Sequence, residues 1–160
     1  MNLSNTFNYN YNFKINNNLL IQLKMAYAQW VYILIQVQRG MSSNPVTLWN
    51  VNLNWGKFYQ YDNKDEEVSL DRIQQTSISS GSSVGIASCG RSDSASGTEG
   101  SFELWDDNTK ICKVYWDCPW GKKGNTFNVS EVNQDYLVQD TGANLDSGAL
   151  GNVTLKIGKF

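Results

Sequence analysis

Residues 115 to 123 read YWDCPWGKK, which places Tyr115, Trp116, Asp117, Cys118, Trp120, Lys122 and Lys123 within nine positions. An aromatic ring with one polar edge suits a half-wet site, because its body can be dehydrated while its N–H or O–H keeps a partner. Such a ring also holds a quaternary ammonium by cation–π attraction, worth about 0.5–2 kcal/mol. Lys123, or Arg91 upstream, could meet a phosphate. Together these groups suit a zwitterionic phospholipid headgroup, and a sugar site would use similar aromatics. Trp120 sits between Pro119 and Gly121 in what must be a loop, where a large ring is hard to bury.

Other chemistries are poorly supplied. The 160 residues include no histidine and three cysteines, 89, 112 and 118, without a CxxC spacing, so neither a zinc site nor a histidine-based nucleophile system can be assembled. GSSVG at 81–85 matches a serine-nucleophile pattern, which needs a strand-to-helix elbow and a base; a serine-rich hairpin loop is the better reading. DNKDEE at 62–67 lacks the glycine and final glutamate of a calcium loop and reads as a solvated turn. Asp106 and Asp107 are adjacent on a turn and point apart, whereas glycoside hydrolysis needs carboxyls facing across a cleft. The chain is therefore not expected to be an enzyme, nor to carry a metal or cofactor. Its cysteines are expected to be buried thiols. Thirteen scattered basic residues and a net charge of −2 exclude a nucleic-acid binder and adhesion to anionic lipid by charge alone.

The elements that must position these residues are strands. From Met25 onward, runs rich in Val, Ile, Tyr, Trp and Thr are separated by Gly, Asn, Asp and Ser clusters every eight to twelve residues. Strands are expected in 27–38, 44–58, 68–79, 83–90, 100–107, 110–117, 126–132, 136–142 and 152–160, the first packed on both faces. In 44–58, alternation puts Thr47, Trp49, Val51, Leu53 and Trp55 on one side, taken as the buried one. The expected fold is all-β: a single-domain antiparallel β-sandwich over 25–160. Residues 1–24, with eight asparagines, are expected to be a disordered extension. Their apolar patch LLIQL is too short for a secretory signal, and the six-residue run WVYILI is far below the roughly 20 residues of a spanning helix.

Five blocks carry a resemblance: AYAQWVYILI, NWGKFYQYDNKDEEVS, SCGRSDSASGTEGSFEL, YWDCPWGKKGNTFNV and TGANLDSGALGNVTL. In order and spacing over 25–160 they resemble the aegerolysin family. The resemblance implies a small acidic β-sandwich, similar in architecture to actinoporin-like cytolysins and fungal lectins. It implies recognition of a membrane sphingolipid, either sphingomyelin with cholesterol or ceramide phosphoethanolamine. It further implies a role as the lipid-finding half of a two-component pore former, with a perforin-like or other pore-forming partner. The protein would be cytoplasmic or released without a conventional signal peptide, and would bind target membranes peripherally. By position, the implied lipid-facing residues are Trp30, Trp55, Arg91, Asp93, Tyr115, Trp116, Asp117, Trp120 and Lys123. Strand parity separates Trp116 from Tyr115 and Asp117, so Trp116 could instead belong to the core. Cys89 and Cys118 match family cysteines, and Ser96 stands where some members carry an acidic residue. A lectin-like module using the same aromatics on glycans, or a non-lytic developmental protein, are the alternative functions.

Overall fold

In the computed structural model, which describes residues 27–92 and 94–160, two sheets face each other across an apolar core. The first strand shows why. In β1 (Trp30–Val37) the odd positions Val31, Ile33, Ile35 and Val37 are buried and the even ones are half-exposed, a period of two that only a strand with one inward face satisfies. β1 pairs in parallel with β11 (Gly151–Lys159) and antiparallel with β6 (Ser83–Cys89). Adding β10 (Tyr136–Thr141), β3 (Lys57–Gln60) and β4 (Asn63–Val68) completes a six-stranded sheet in the order β10-β11-β1-β6-β3-β4. The second sheet, β5-β2-β7-β8-β9, comprises β5 (Ser77–Ile78), β2 (Val46–Trp55), β7 (Thr98–Asp106), β8 (Thr109–Cys118) and β9 (Thr126–Ser130). The sandwich expectation holds, with one parallel pair among the antiparallel ones.

Three local expectations are corrected. Residues 68–79 are not one strand: Leu70–Gln74 form a short helix, α1, whose N-cap Ser69 accepts a hydrogen bond from the Arg72 amide at 3.3 Å. A helix of five residues is too short to leave a 3.6-residue period in the sequence. DNKDEE is not a free turn but most of β4, an edge strand, where charged side chains are tolerated because one flank faces water. The buried face assigned to β2 is wrong at both tryptophans. Val46, Leu48 and Val51 point inward, while Trp49 and Trp55 are 51% and 61% exposed. Register shifts between Trp49 and Asn52 and between Leu53 and Trp55 break the alternation twice, with Asn50 at φ 50° in the first.

Beneath one end of the sandwich a buried polar chain ties the sheets together. Trp116 Nε1–H donates to Thr98 Oγ1 at 3.1 Å, Thr98 and Ser88 share a 2.5 Å hydroxyl contact, and Ser88 Oγ–H donates to the Lys57 carbonyl at 3.0 Å. Because the Ser88 proton is committed to the Lys57 carbonyl and Thr98 Oγ1 accepts the indole N–H, the Thr98 hydroxyl donates to Ser88 Oγ. Thr98→Val keeps the shape but orphans the indole N–H, and is expected to cost about 1–3 kcal/mol in a urea titration. An unchanged midpoint would mean that the chain contributes nothing to stability. All three cysteines are buried free thiols; burial pushes Cys89 up to about 11 and Cys112 up to about 12. Among the described residues no helix is long and apolar enough to cross a membrane, and no cluster of metal-ligating side chains is present.

Candidate functional site

The registers bring most of the candidate residues to one end of the sandwich. Trp30 opens β1 opposite Cys89 at the close of β6, Trp55 ends β2 opposite Glu99 at the start of β7, and Glu99 faces Asp117 near the end of β8. At that end lies an open cup of about 300 Å³ lined by Trp55, Thr98, Glu99, Asp117, Pro119 and Trp120, with the segment 95–97 along one side.

Each wall has a local cause. Trp55 is thrown outward by the second β2 bulge and held there by Gly56, whose φ of +89° turns the chain from one sheet to the other. A Cβ on Gly56 would meet the Cys89 carbonyl at 2.4 Å, so only glycine fits the crossing. The loop carrying Trp120 and Lys123 is anchored at both ends. On one side the buried Gln29 side-chain amide faces the carbonyls of Pro119 at 3.3 Å and Gly148 at 2.7 Å, and because two carbonyls need a donor the amide nitrogen is assigned to that side. On the other, Asn125 donates its backbone N–H to the Leu145 carbonyl at 3.0 Å and its side-chain amide to the Asn144 carbonyl at 2.9 Å. Trp120 is thereby presented half-buried on a pinned loop.

The cup pairs indole faces with carboxylates. Glu99 Oε1 accepts the Tyr115 hydroxyl at 3.0 Å and the Asn54 amide at 3.0 Å, which fixes its position. Burial, and then the charge of Glu99, raise the Asp117 carboxyl above the usual aspartate value, while the Lys123 ammonium opposes them. Two tryptophans beside two acids have the chemistry to hold a cationic group, and the Lys123 ammonium, whose charge reaches Asp117, is the opposite pole.

Not every implied residue belongs to this cup. Trp116 is fully buried, with its ring against Phe58 and Phe102 at centroid distances of 6.1 Å each, so it is a core residue and not a lipid contact. The physical reason is Gly100: a Cβ there would come within 2.5 Å of the indole, and the bare backbone leaves the ring its slot. Trp30 lies on the outer face of the six-stranded sheet, under the Lys64 ammonium at 4.9 Å, in a separate hollow with Tyr59 and Tyr61. Arg91 is engaged by Glu67 in a bidentate pair, 2.8 and 3.2 Å, along a groove on the far side of Trp55. Asp93 lies outside the described residues. Conversely, Glu99 completes the cup and was absent from the implied set. Its signal was available: it sits at alternate spacing before Ser101 and Glu103, on the outward face of β7.

A family model for aegerolysins matches residues 28–160. The chain is an aegerolysin. Asp-hemolysin of Aspergillus fumigatus is 46% identical over 134 residues, covering 84% of this chain and 95% of that protein. Aegerolysin Aa-Pri1 of Cyclocybe aegerita is 42% identical over 135 residues, covering 82% and 91%. The crystal structure of IP-1A from Alcaligenes faecalis superimposes with a TM-score of 0.78 at 37% identity, covering 86% of this aegerolysin and 96% of IP-1A.

Proposed function

We propose that this aegerolysin binds membranes by clasping a zwitterionic sphingolipid headgroup in the cup, and that it serves as the lipid-recognition component of a two-component cytolysin. The observation that carries the reading is the joint presence of Trp55, Trp120, Asp117 and Glu99 around one opening, with the charge of Lys123 acting on Asp117. The headgroup ammonium sits against the indoles and between the carboxylates, and its phosphate meets Lys123. The two sphingolipids that fit this chemistry are sphingomyelin, presented with cholesterol, and ceramide phosphoethanolamine. A larger partner of the perforin-like class, or another pore former, supplies the permeabilising step. A relative at 46% identity is named a hemolysin, in keeping with a lytic system.

The test is co-sedimentation of the full chain with vesicles of phosphatidylcholine alone, of sphingomyelin with cholesterol, or of ceramide phosphoethanolamine. Retention on one sphingolipid mixture should survive high salt, because contacts inside a cup are screened far less than a diffuse field. Equal retention on all three, each of which presents a zwitterionic phosphate–ammonium headgroup, would overturn the sphingolipid preference; failure on all three would overturn the headgroup reading, and release of entrapped dye by the chain alone would overturn the two-component part.

The same cup sets a pH dependence. Asp117 must be ionised to hold an ammonium, and its raised pKa means that it takes up its proton at a higher pH than an ordinary aspartate, whose value is about 3.9. Retention should therefore fall on acidification, beginning above that value. Asp117→Asn should bind more weakly at neutral pH and lose that part of the profile. A mutant profile that tracks the wild type would remove Asp117 from the role.

A further inference from the structure

The outer face of the five-stranded sheet carries a second aromatic feature that the headgroup cup does not use. Trp49 and Trp105 stand side by side there, ring centroids 5.8 Å apart and inclined at 46°. Trp49 is half exposed to solvent although it is among the largest apolar side chains in the chain. Both rings are fixed from within the protein: Trp49 Nε1–H donates to Thr47 Oγ1 at 3.1 Å, and Trp105 Nε1–H donates to Glu103 Oε2 at 3.0 Å. Glu103 is held further by the Asn50 amide at 2.9 Å and the Lys110 ammonium at 2.6 Å. Burial works against its charge, and these hydrogen bonds outweigh burial, so its carboxyl lies below the ordinary range.

The first β2 bulge builds this arrangement. Regular alternation would send Asn50 inward after the outward Trp49, and the extra residue leaves both exposed, side by side. Bulges recur next to sites because they re-aim side chains in this way. The result is a rigid indole surface bordered by polar groups with capacity to spare. Asn50 Oδ1 and the third Lys110 proton have no protein partner among the described residues.

We propose that Trp49 and Trp105 form a glycan-binding platform, separate from the headgroup cup, for a chain of β-linked pyranose units. In the gluco configuration, that of β-linked glucose and N-acetylglucosamine, the substituents are equatorial, so each ring offers a flat face of axial C–H bonds to an indole. The in-plane hydroxyls then point sideways, where Asn50, Glu103 and Lys110 supply acceptors and donors. Along the sheet, Asn52 and Asn54 continue the polar lane toward Glu99, with Asn54 Nδ2 donating to Glu99 at 3.0 Å. A bilayer contact fits this face less well. It would dehydrate Glu103 and Lys110, and membrane-interface tryptophans use their N–H on the headgroup region, whereas here both N–H groups are already engaged.

The probes are the β-1,4-linked hexamers of glucose and of N-acetylglucosamine, titrated into the full chain with tryptophan emission and calorimetry as readouts. At least one hexamer should bind saturably. Trp49→Ala should weaken it by about tenfold or more, as truncation of a central aromatic anchor does, and Trp120→Ala should leave it unchanged. Trp49 is exposed, so its removal leaves the core intact, which the wild-type unfolding temperature of the variant would verify. Absence of saturable binding by either hexamer, equal binding by Trp49→Ala, or loss of vesicle retention in Trp49→Ala each overturns the platform. The first two outcomes leave the cup untouched, the third would place Trp49 in the membrane contact, and Trp120→Ala tests the cup separately.

Discussion

Trp120→Ala is expected to lose retention on the preferred sphingolipid vesicles while unfolding at the wild-type temperature. The indole forms one wall of the cup on a loop pinned from outside by Gln29 and Asn125, so the loop keeps its course when the ring is removed. In the proposed binding mode, what disappears is one face of the ammonium site and the dehydrated wall beside Asp117 and Glu99. Central aromatic anchors of this kind typically cost about 2 kcal/mol or more on truncation, roughly thirtyfold in affinity. Trp120→Phe keeps an apolar wall with a weaker quadrupole and should fall between the two. Wild-type retention by Trp120→Ala would mean that the headgroup is held elsewhere, and the hollow around Trp30 and Lys64 would then be the place to mutate.

The loop and the strands around it were legible in the sequence for different reasons. YWDCPWGKK announces itself because Pro119 and Gly121 stop a strand beside Trp120, and no pairing in the sheets is needed to see it. Strand β1 is legible as a strand, but Tyr32 and Leu34 among the apolar odd positions make it read as packed on both faces, whereas only Val31, Ile33, Ile35 and Val37 are buried and the even positions form the half-exposed outer face. Strand β2 shows where local reading ends. Its two bulges arise from pairing with β7, more than forty residues away, and each shifts the parity on which Trp49 and Trp55 were assigned to the core. β4 failed similarly: a run of charges is a turn or an edge strand depending on whether β3 lies beside it. The split among the implied site residues also comes from tertiary structure. Trp30, Trp55 and Trp116 look alike in sequence, yet one lies on the outer sheet face, one at the cup and one in the core, because β1, β2 and β8 reach the same end of the sandwich with different faces turned inward.

Trp116→Ala is the complementary experiment, one in which binding is lost because the domain itself is weakened. Trp116 has no exposed surface and its indole fills the slot opened by Gly100, against Phe58 from one sheet and Phe102 from the other. Removing it leaves a cavity with walls drawn from both sheets, and also strips Thr98 of the N–H that completes the chain through Ser88 to Lys57. Buried tryptophan truncations cost about 3–5 kcal/mol. For a chain of this size that lowers the unfolding temperature by an amount on the order of 10 °C. Trp116→Phe fills most of the slot but lacks the donor, and should recover most of that loss while remaining short by about 1 kcal/mol, the net worth of one buried hydrogen bond. The two tryptophans, four residues apart, therefore separate cleanly: substitution at Trp120 should change retention without moving the melt, and substitution at Trp116 should move the melt first. If Trp116→Ala melted as the wild type and failed only on vesicles, Trp116 would have to reach the membrane, and the core position assigned to it here would be wrong.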